Sequence, residues 1–318
     1  NLMSLYPVKR KIQNKKFIYT YKNGTIITNK SVINRINKLK IPPAYQDVQI
    51  FNKNADVQYT AYDTKRRIQK GYHSNRIKKR DIKKFKKLIT FINVYPSLMK
   101  KINNILQKNT IVNKTYIFAI IIKLIDTCKI RPGDDKYLND TGSYGAITLC
   151  KKHFTKKKKK IHLKFKGKSK IINECDIDIK DILGKKLVKL INKNSNNSCV
   201  FNNFNVKIRP RDINAFLFKL TQKKILVKYF RHYHANLLFL NNIFSLKNHK
   251  TKKDRKKNAI IAVKKSSEKL HHTPTIFKKS YMYMPIHDLY IDNYSEFKKI
   301  FKKKTLEKNV IKYIKKTN

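Results

Sequence analysis

Acidic residues are scarce in this chain. Its 318 residues hold 19 Asp and Glu against 76 Lys and Arg, a formal net charge of +57. Charge on that scale bears on partners, not on fold. The most economical partner is a nucleic-acid backbone, which releases condensed counterions when cations bind it. An anionic membrane surface is the rival. Long apolar runs are lacking too: nothing approaches the length of a membrane span, and the opening NLMSLYPVKRKIQNKKF has no continuous apolar core of the signal-peptide kind. The four cysteines, Cys128, Cys150, Cys175 and Cys199, form no CxxC pair. That argues against a zinc site or a disulfide framework and fits a reducing intracellular setting. Tryptophan is absent and glycine numbers only 7, while Lys, Asn and Ile abound, the bias that AT-rich coding produces. A single lysine therefore carries little information, and arginines and histidines carry more.

What is present suffices for a fold. Hydrophobic residues make up 41%, enough for a proper core in one large domain or two smaller ones. The pattern predicts an α+β chain with a small β-rich domain over residues 1–80 and a mainly helical domain over 81–318 that carries a three-stranded β patch. FIYTYKNGTIIT reads as a hairpin around Asn23-Gly24, and VQYTAYDTKRRIQKGYH as further strand. A helix is expected from Asp81 as its cap, interrupted near Pro96. YIFAIIIKLIDTCKI is apolar almost all round and reads as a buried helix. YGAITL, KIHLKFKG and KSKIINE read as strands, the last two joined by a tight turn at Gly167-Lys168. KKKKK at 156–160 reads as a turn between strands. Helices return from Arg211, and residues 250–258, KTKKDRKKN, read as a solvated, mobile loop.

The stretch HHTPTIFKKSYMYMP carries the chemistry. Thr273 suits a helix N-cap and Pro274 the first helical position. His272 then stands just outside a helix N-terminus, where an anion is favoured. Tyr281 follows about two turns in, roughly 10 Å along the axis. Taken alone, a helical tyrosine is more often a core or surface residue, and His-Thr-Pro is only a cap. The stretch gains weight from what precedes it. Arg131 stands between the buried helix and the strand patch. Lys168 stands in a hairpin turn, with Lys166 flanking it. Lys228 and Arg231 are i and i+3 on one helical face.

In that order these residues resemble the catalytic set of the type IB DNA topoisomerases of the compact viral and bacterial kind, the group that includes the poxvirus enzymes. The resemblance covers most of the chain. KIPPAYQDVQI looks like the family's stretch entering the N-terminal domain, and FNVKIRPRDINAFL (204–217) like its lead-in to the second arginine. YDTKRRIQKGYH looks like its DNA-contacting segment, with Arg67, Gln69, Tyr72 and His73. Lys70, Tyr229 and His271 depart from the family's usual residues. The resemblance implies a C-shaped clamp that acts on double-stranded DNA as a monomer, cleaving one strand through a 3′-phosphotyrosyl link and resealing it. Tyr281 would be the nucleophile. Arg131, Arg231 and His272 would stabilise charge on the non-bridging oxygens, and Lys168, with Arg131 as its helper, would be the general acid. Lys228 would contact a phosphate and Asn236 would support the site while lying among the DNA-binding residues. Phosphodiester exchange needs no energy source, and a site that supplies its own cations needs no metal or other cofactor. His271, Tyr283 and Lys166 are the neighbours that could replace His272, Tyr281 and Lys168. A viral source would place the protein in a host nucleus, in cytoplasm or in a virion. Two other readings stand beside this one. A tyrosine recombinase shares the architecture but typically has His three residues before the second Arg, where this chain has Lys228. A basic DNA-packaging protein with a decayed site fits the charge, but all five catalytic positions are filled.

Overall fold

A computed structural model of the protein describes residues 6–14, 16–108, 113–193, 195, 198–201 and 207–317. It divides the chain into two units, Asn1–Lys84 and Phe85–Asn318. In the first, β1 (Val8–Gln13), β2 (Lys16–Thr20), β3 (Gln46–Ile50), β4 (Val57–Tyr62) and β5 (Ile68–Tyr72) form an antiparallel sheet ordered β2-β1-β3-β4-β5. Helix α1 (Lys30–Lys38) starts at Asn29, whose side chain accepts from the backbone N–H groups of Ser31 and Val32. Val8, Ile27, Ile36, Val48, Ile50 and Ala61 make the core of this unit. The Ile-Pro-Pro stretch is held by the Arg10 guanidinium, which donates to Pro42 O at 3.1 Å and Pro43 O at 3.2 Å.

The expected Asn23-Gly24 hairpin forms only its turn, with Gly24 at φ +90°. The following run makes a lone bridge, Thr20 to Ile26, because β1 already pairs with β2 from Lys9–Thr20 to Gln13–Lys16. The next helix also begins earlier than expected. α2 is Ser74–Lys108, so Asp81 is an interior residue and not a cap. His73 caps it instead, Nδ1 accepting from Asn75 N at 3.2 Å and its carbonyl from Ile77 N at 3.1 Å. α2 also runs through Pro96 without interruption. A proline costs a helix interior about 3 kcal/mol, and burial of Phe91, Ile92, Leu98, Met99 and Ile102 on both sides outweighs that.

In the second unit α3 (Lys114–Cys128) is buried nearly all round, as its sequence implies. Its three-stranded sheet is β6 (Phe154–Lys157), β7 (Lys160–Lys166) and β8 (Ile172–Asp178), in that order. The lysine run at 156–160 therefore turns between β6 and β7. YGAITL is not a strand: Ala146–Thr148 is a single 3₁₀ turn. Its N–H groups bond to the loop before it, Ala146 N to Arg131 O at 2.9 Å and Ile147 N to Pro132 O at 2.7 Å. Helices follow as α4 (Asp135–Thr141), α5 (Ile182–Asn192), α6 (Pro210–Thr221), α7 (Tyr229–Ser245) and α8 (Lys252–Lys269). Residues 204–206 of the stretch before α6 lie outside the described residues. The lysine-rich 250–258 segment is not a loop but the start of α8. Thr251 caps it, Oγ1 accepting from Asp254 N at 3.0 Å. Asn258, Ala259, Ala262 and Val263 turn inward, so the lysines are its solvated face. After the one-turn α9 (Pro274–Ile276) come α10 (Met284–Asp292), α11 (Tyr294–Ile300) and α12 (Leu306–Thr317). No described helix is long and apolar enough to cross a membrane. The cysteines also differ from expectation: Cys128 at the end of α3 is disulfide-bonded to Cys175 on β8, because the packing of α3 on β8 brings their Cα atoms to 5.5 Å.

Ile121 lies at the centre of α3 with no exposed surface. Ile121→Ala is expected to cost about 2–5 kcal/mol, read as a lower urea midpoint at unchanged slope. A change too small to resolve would show that α3 is not the core of this unit.

Candidate active site

The chain leaves α3 through Lys129, in the left-handed conformation at φ 56°. It then passes Gly133, at φ +78°, against Gly145. The approach is tight: a Cβ on Gly145 would lie 2.5 Å from Gly133 Cα and 2.9 Å from Arg131 O. Two glycines thus let the two backbone segments bond directly, and Arg131 leaves a pinned main chain. Its Nη2 comes to 3.1 Å from His272 Nδ1.

Arg231, in the first turn of α7, is 2% exposed. Its Nη1 donates to Lys129 O, and its Nη2 to Leu270 O at 2.6 Å. The same Nη2 lies 2.6 Å from His272 Nε2. Nε has no partner among the described residues. Burial, then the charge of Arg131, pulls the guanidinium down to about 10, which leaves it protonated at neutral pH. His272 is held by its own N–H on Ser267 O at 2.9 Å. Burial pushes its imidazole down to about 2, with Arg231, Arg131, His271 and Lys168 adding in that order. The ring is neutral, so it has one lone pair and one N–H. Both ring nitrogens face guanidinium groups. One of the two contacts therefore sets donor against donor, and an anion accepting from both arginines and from the ring N–H would relieve it.

The segment after His272 departs from the expected helix. α9 is one turn, and Phe277–Tyr281 is a π turn closed by Met282 N on Phe277 O at 3.1 Å. The His272 and Tyr281 rings lie 4.3 Å apart, in contact and not two helical turns apart. Arg231 Cζ lies 5.4 Å from the Tyr281 ring centre, and the His232 ring 5.1 Å. Asn236, 2% exposed, brackets the tyrosine. Its Nδ2 donates to His232 O at 2.7 Å and Tyr281 O at 3.4 Å, while Oδ1 accepts from Tyr283 N at 2.9 Å. With its amide committed to backbone, Asn236 is a positioning residue.

Lys168 is exposed at the β7–β8 tip. Gly167 N bonds to Ile171 O at 2.8 Å, and Ser169 and Lys170 adopt φ 61° and 60°. Lys168 Nζ lies 5.9 Å from the ring centre of Tyr137, a neighbour that sequence reasoning did not single out. Arg131, Arg231 and Tyr281 thus all meet the His272 ring, and the charge of Lys168 reaches that ring without contact. The alternatives separate from this cluster. Tyr283 is buried against Phe85 at 4.5 Å and bonds Thr317 through its hydroxyl at 2.6 Å. His271, at φ 53°, lines another cavity. Lys166 is a paired strand residue opposite Ile172. The carbonyls of Lys129 and Leu270 that hold Arg231 carry no sequence signal, since any residue has a carbonyl.

The remaining residues expected to contact DNA have partners of their own. In the first unit Arg67 Nε and Gln69 Nε2 both bond Asp63 Oδ2, at 2.8 and 3.0 Å. Tyr72 lies under the Arg76 guanidinium at 4.7 Å, and His73 caps α2. Lys228 is exposed at the start of α7, 5.8 Å from the Tyr229 ring. Among the described residues no group of three or more His, Cys, Asp or Glu is arranged to hold a metal ion.

Residues 73–311 match the family described as the catalytic core of eukaryotic DNA topoisomerase I, and residues 16–63 the N-terminal domain of bacterial DNA topoisomerase IB. The chain is 32% identical to the DNA topoisomerase 1B of Acanthamoeba polyphaga mimivirus over 304 residues, 90% of this chain and 88% of the relative. It is 28% identical to the DNA topoisomerase I of Monkeypox virus over 281 residues, 82% and 86%. Among solved structures, the XerH site-specific recombinase bound to a difH substrate aligns at TM-score 0.36 and 17% identity, over 66% of this chain and 49% of that one. A likeness that low carries no argument.

Three histidines, His153 and His272 buried and His271 half-buried, are held below their ordinary pKa, His153 and His271 at about 4 and His272 at about 2, in each case mainly by burial. In the unfolded chain a histidine takes a proton near about pH 6.5. Below that the unfolded state binds protons that the folded state refuses, and stability falls as pH falls. The thermal midpoint is expected to drop steadily from pH 6.5 to 4, and His153→Gln to shallow the slope. A flat profile over that range would contradict neutral buried rings.

Proposed function

Since this chain belongs to the type IB DNA topoisomerase family, we propose that it relaxes supercoiled duplex DNA through the cluster around His272, by transient cleavage of one strand. The Tyr281 hydroxyl oxygen attacks the scissile phosphorus and gives up its proton to solvent. The bond from phosphorus to the 5′ oxygen breaks, and that oxygen takes a proton from Lys168. A 3′-phosphotyrosyl link and a free 5′-hydroxyl result. The free end rotates about the intact strand, the 5′-hydroxyl attacks the phosphotyrosine, and the strand is restored. One phosphodiester is exchanged for another, so neither ATP nor a metal is called for.

The observation that carries this reading is a neutral imidazole between two guanidinium groups, at 3.1 and 2.6 Å, with the Tyr281 ring 4.3 Å away. Guanidinium and imidazole N–H groups can converge on phosphoryl oxygens beside a phenol, where positive charge favours the phenolate. Arg131 and Arg231 are fixed before substrate arrives, by backbone bonds and by carbonyls. Fixed donors aimed at developing charge lower a barrier without reorganising, and one such donor is commonly worth about 10²–10³ in rate. The protein acts as a monomer, and both units contact duplex DNA, the first through Arg67, Gln69, Tyr72 and His73. Lys228 adds a phosphate contact. Relaxation of supercoiled plasmid in EDTA without ATP tests the whole reading. Strand exchange between two sites would favour a recombinase, and gel retardation alone a packaging protein.

Tyr281→Phe removes the nucleophilic oxygen and leaves the ring packing. It is expected to abolish covalent attachment of labelled DNA while binding stays within a few-fold. Labelled DNA still attached to the variant on a denaturing gel would assign the nucleophile elsewhere. Lys168→Ala is expected to slow single-turnover cleavage by about 10²–10⁴, the range of a general acid. Sulfur at the bridging 5′ position should restore much of that rate, because a thiolate departs without a proton. Equal slowing on both substrates would show that Lys168 is not the acid.

A further inference from the structure

Next to His272, at His271, opens a cavity of about 570 Å³ lined by residues 127–129, His162, residues 174–176, Glu268, Lys269 and His271. Each bounding segment leads to a catalytic group. Lys129 presents its carbonyl to Arg231 and stands two residues before Arg131. β8 is the partner of β7 in the hairpin whose tip holds Lys168. Residues 268–271 run into His272, and Leu270 O accepts from Arg231. A single covalent bond joins the first two segments, the Cys128–Cys175 disulfide, and it forms part of the cavity wall. Cys128 is 4% exposed, while Cys175 is half-buried and opens to the cavity.

The charges around this bond are of both signs: Lys129 and Lys269 line the cavity with Glu174, Asp176 and Glu268, beside the imidazoles of His162 and His271. Glu174 is paired with Lys164 at 2.7 Å. Glu268 and Lys269 form no ion pair among the described residues. In a chain with 19 acids against 76 basic residues, a cavity lined by three carboxylates and two lysines is an unusual arrangement. It suits a small zwitterion, with carboxylates toward the lysines and an ammonium toward the glutamates.

We propose that the Cys128–Cys175 disulfide is a thiol-exchange site for small zwitterionic thiols, and that its redox state sets the rate of DNA cleavage. The control of cleavage rests on the function proposed above; the exchange site does not. The thiolate of the incoming molecule attacks the accessible Cys175 sulfur. A mixed disulfide forms there, and the Cys128–Cys175 bond breaks with the electron pair going to Cys128. Lys129 adjoins that leaving thiolate, and cations favour thiolates. A second thiol attacks the mixed disulfide on the sulfur of the bound molecule, releasing the Cys175 thiolate. The protein disulfide is reduced by two electrons, two thiols become one disulfide, and solvent protons balance the thiolates. The reduced protein has lost the tie between the end of α3 and the hairpin. Arg131 stays pinned by Gly145 and Ala146, so the hairpin and Lys168 are the parts released. Misplacement of about 1 Å at a reacting group can cost about 10² in rate.

The test uses the full chain, oxidised or reduced, with glutathione as the zwitterionic probe and 2-mercaptoethanol as the neutral one. At equal thiolate concentration glutathione is expected to open the bond faster, with a mixed disulfide mapped by mass to Cys175. Lys269→Ala should erase that preference. Single-turnover cleavage should fall about ten-fold or more on reduction, to the rate of Cys175→Ser, whose rate ignores the reductant. Cys199→Ser should keep the full response. In Lys168→Ala, reduction should add little further slowing, because the group it misplaces is already gone. Equal cleavage rates in the two redox states would overturn the control, and no preference for glutathione would overturn the ligand class. If neither redox form cleaves DNA, the proposed function fails and the control with it. The mass and rate of thiol exchange would still decide the site.

Discussion

A buried arginine holds the candidate site together. Arg231 donates to the carbonyl that ends α3 and to the carbonyl that ends α8, and it abuts the ring of His272. Three elements distant in sequence meet on one guanidinium. Burying such a charge is costly unless its hydrogen bonds are made, so the two carbonyls and the group are mutually dependent. Without the guanidinium the carbonyls would be buried and unpaired. Without the carbonyls the charge would be driven out of the core. The main-chain course from Cys128 to Arg131 and from Ser267 to His272 follows from that dependence.

The charge balance inside the site is equally constrained. Arg131 and Arg231 flank one imidazole, and no carboxylate touches either guanidinium among the described contacts. Each arginine lowers the affinity of His272 for a proton. Peptide dipoles, not acidic side chains, stabilise the Arg231 cation. Carbonyl dipoles hold a guanidinium without neutralising it, so its net charge is retained. An acidic partner would have fixed the arginine equally well and cancelled its field.

The parts of this design that use side-chain identity were legible in the sequence. The buried α3, the β-rich first unit and the lysine turn between β6 and β7 follow from residue type and spacing, whereas Arg131, Lys168, Arg231, His272 and Tyr281 were singled out by their resemblance to the order found in the type IB family. The parts that use backbone were not. YGAITL has strand composition, yet the Gly133–Gly145 contact diverts its N–H groups to Arg131 and Pro132. Residues 250–258 have loop composition, but a threonine cap and four inward small or amide residues suffice for a helix. The Cys128–Cys175 pairing depends on α3 packing against β8, a contact between residues 47 apart that no spacing rule encodes. The π turn before Tyr281 likewise leaves no signature in Phe-Lys-Lys-Ser-Tyr.

That π turn makes the segment tolerant of composition and intolerant of length. Lys278 and Lys279 are exposed and contribute backbone alone to the Met282–Phe277 bond, so evolution can vary them freely. Removing either residue would convert the wide turn to an ordinary α turn, and each residue of an α-helix rotates the chain by about 100°. Phe277 has no exposed surface and cannot follow such a rotation, so Tyr281 would be the side chain that turned away. Among descendants of this sequence, the interval from Phe277 to Tyr281 should drift in its letters and stay fixed in its count.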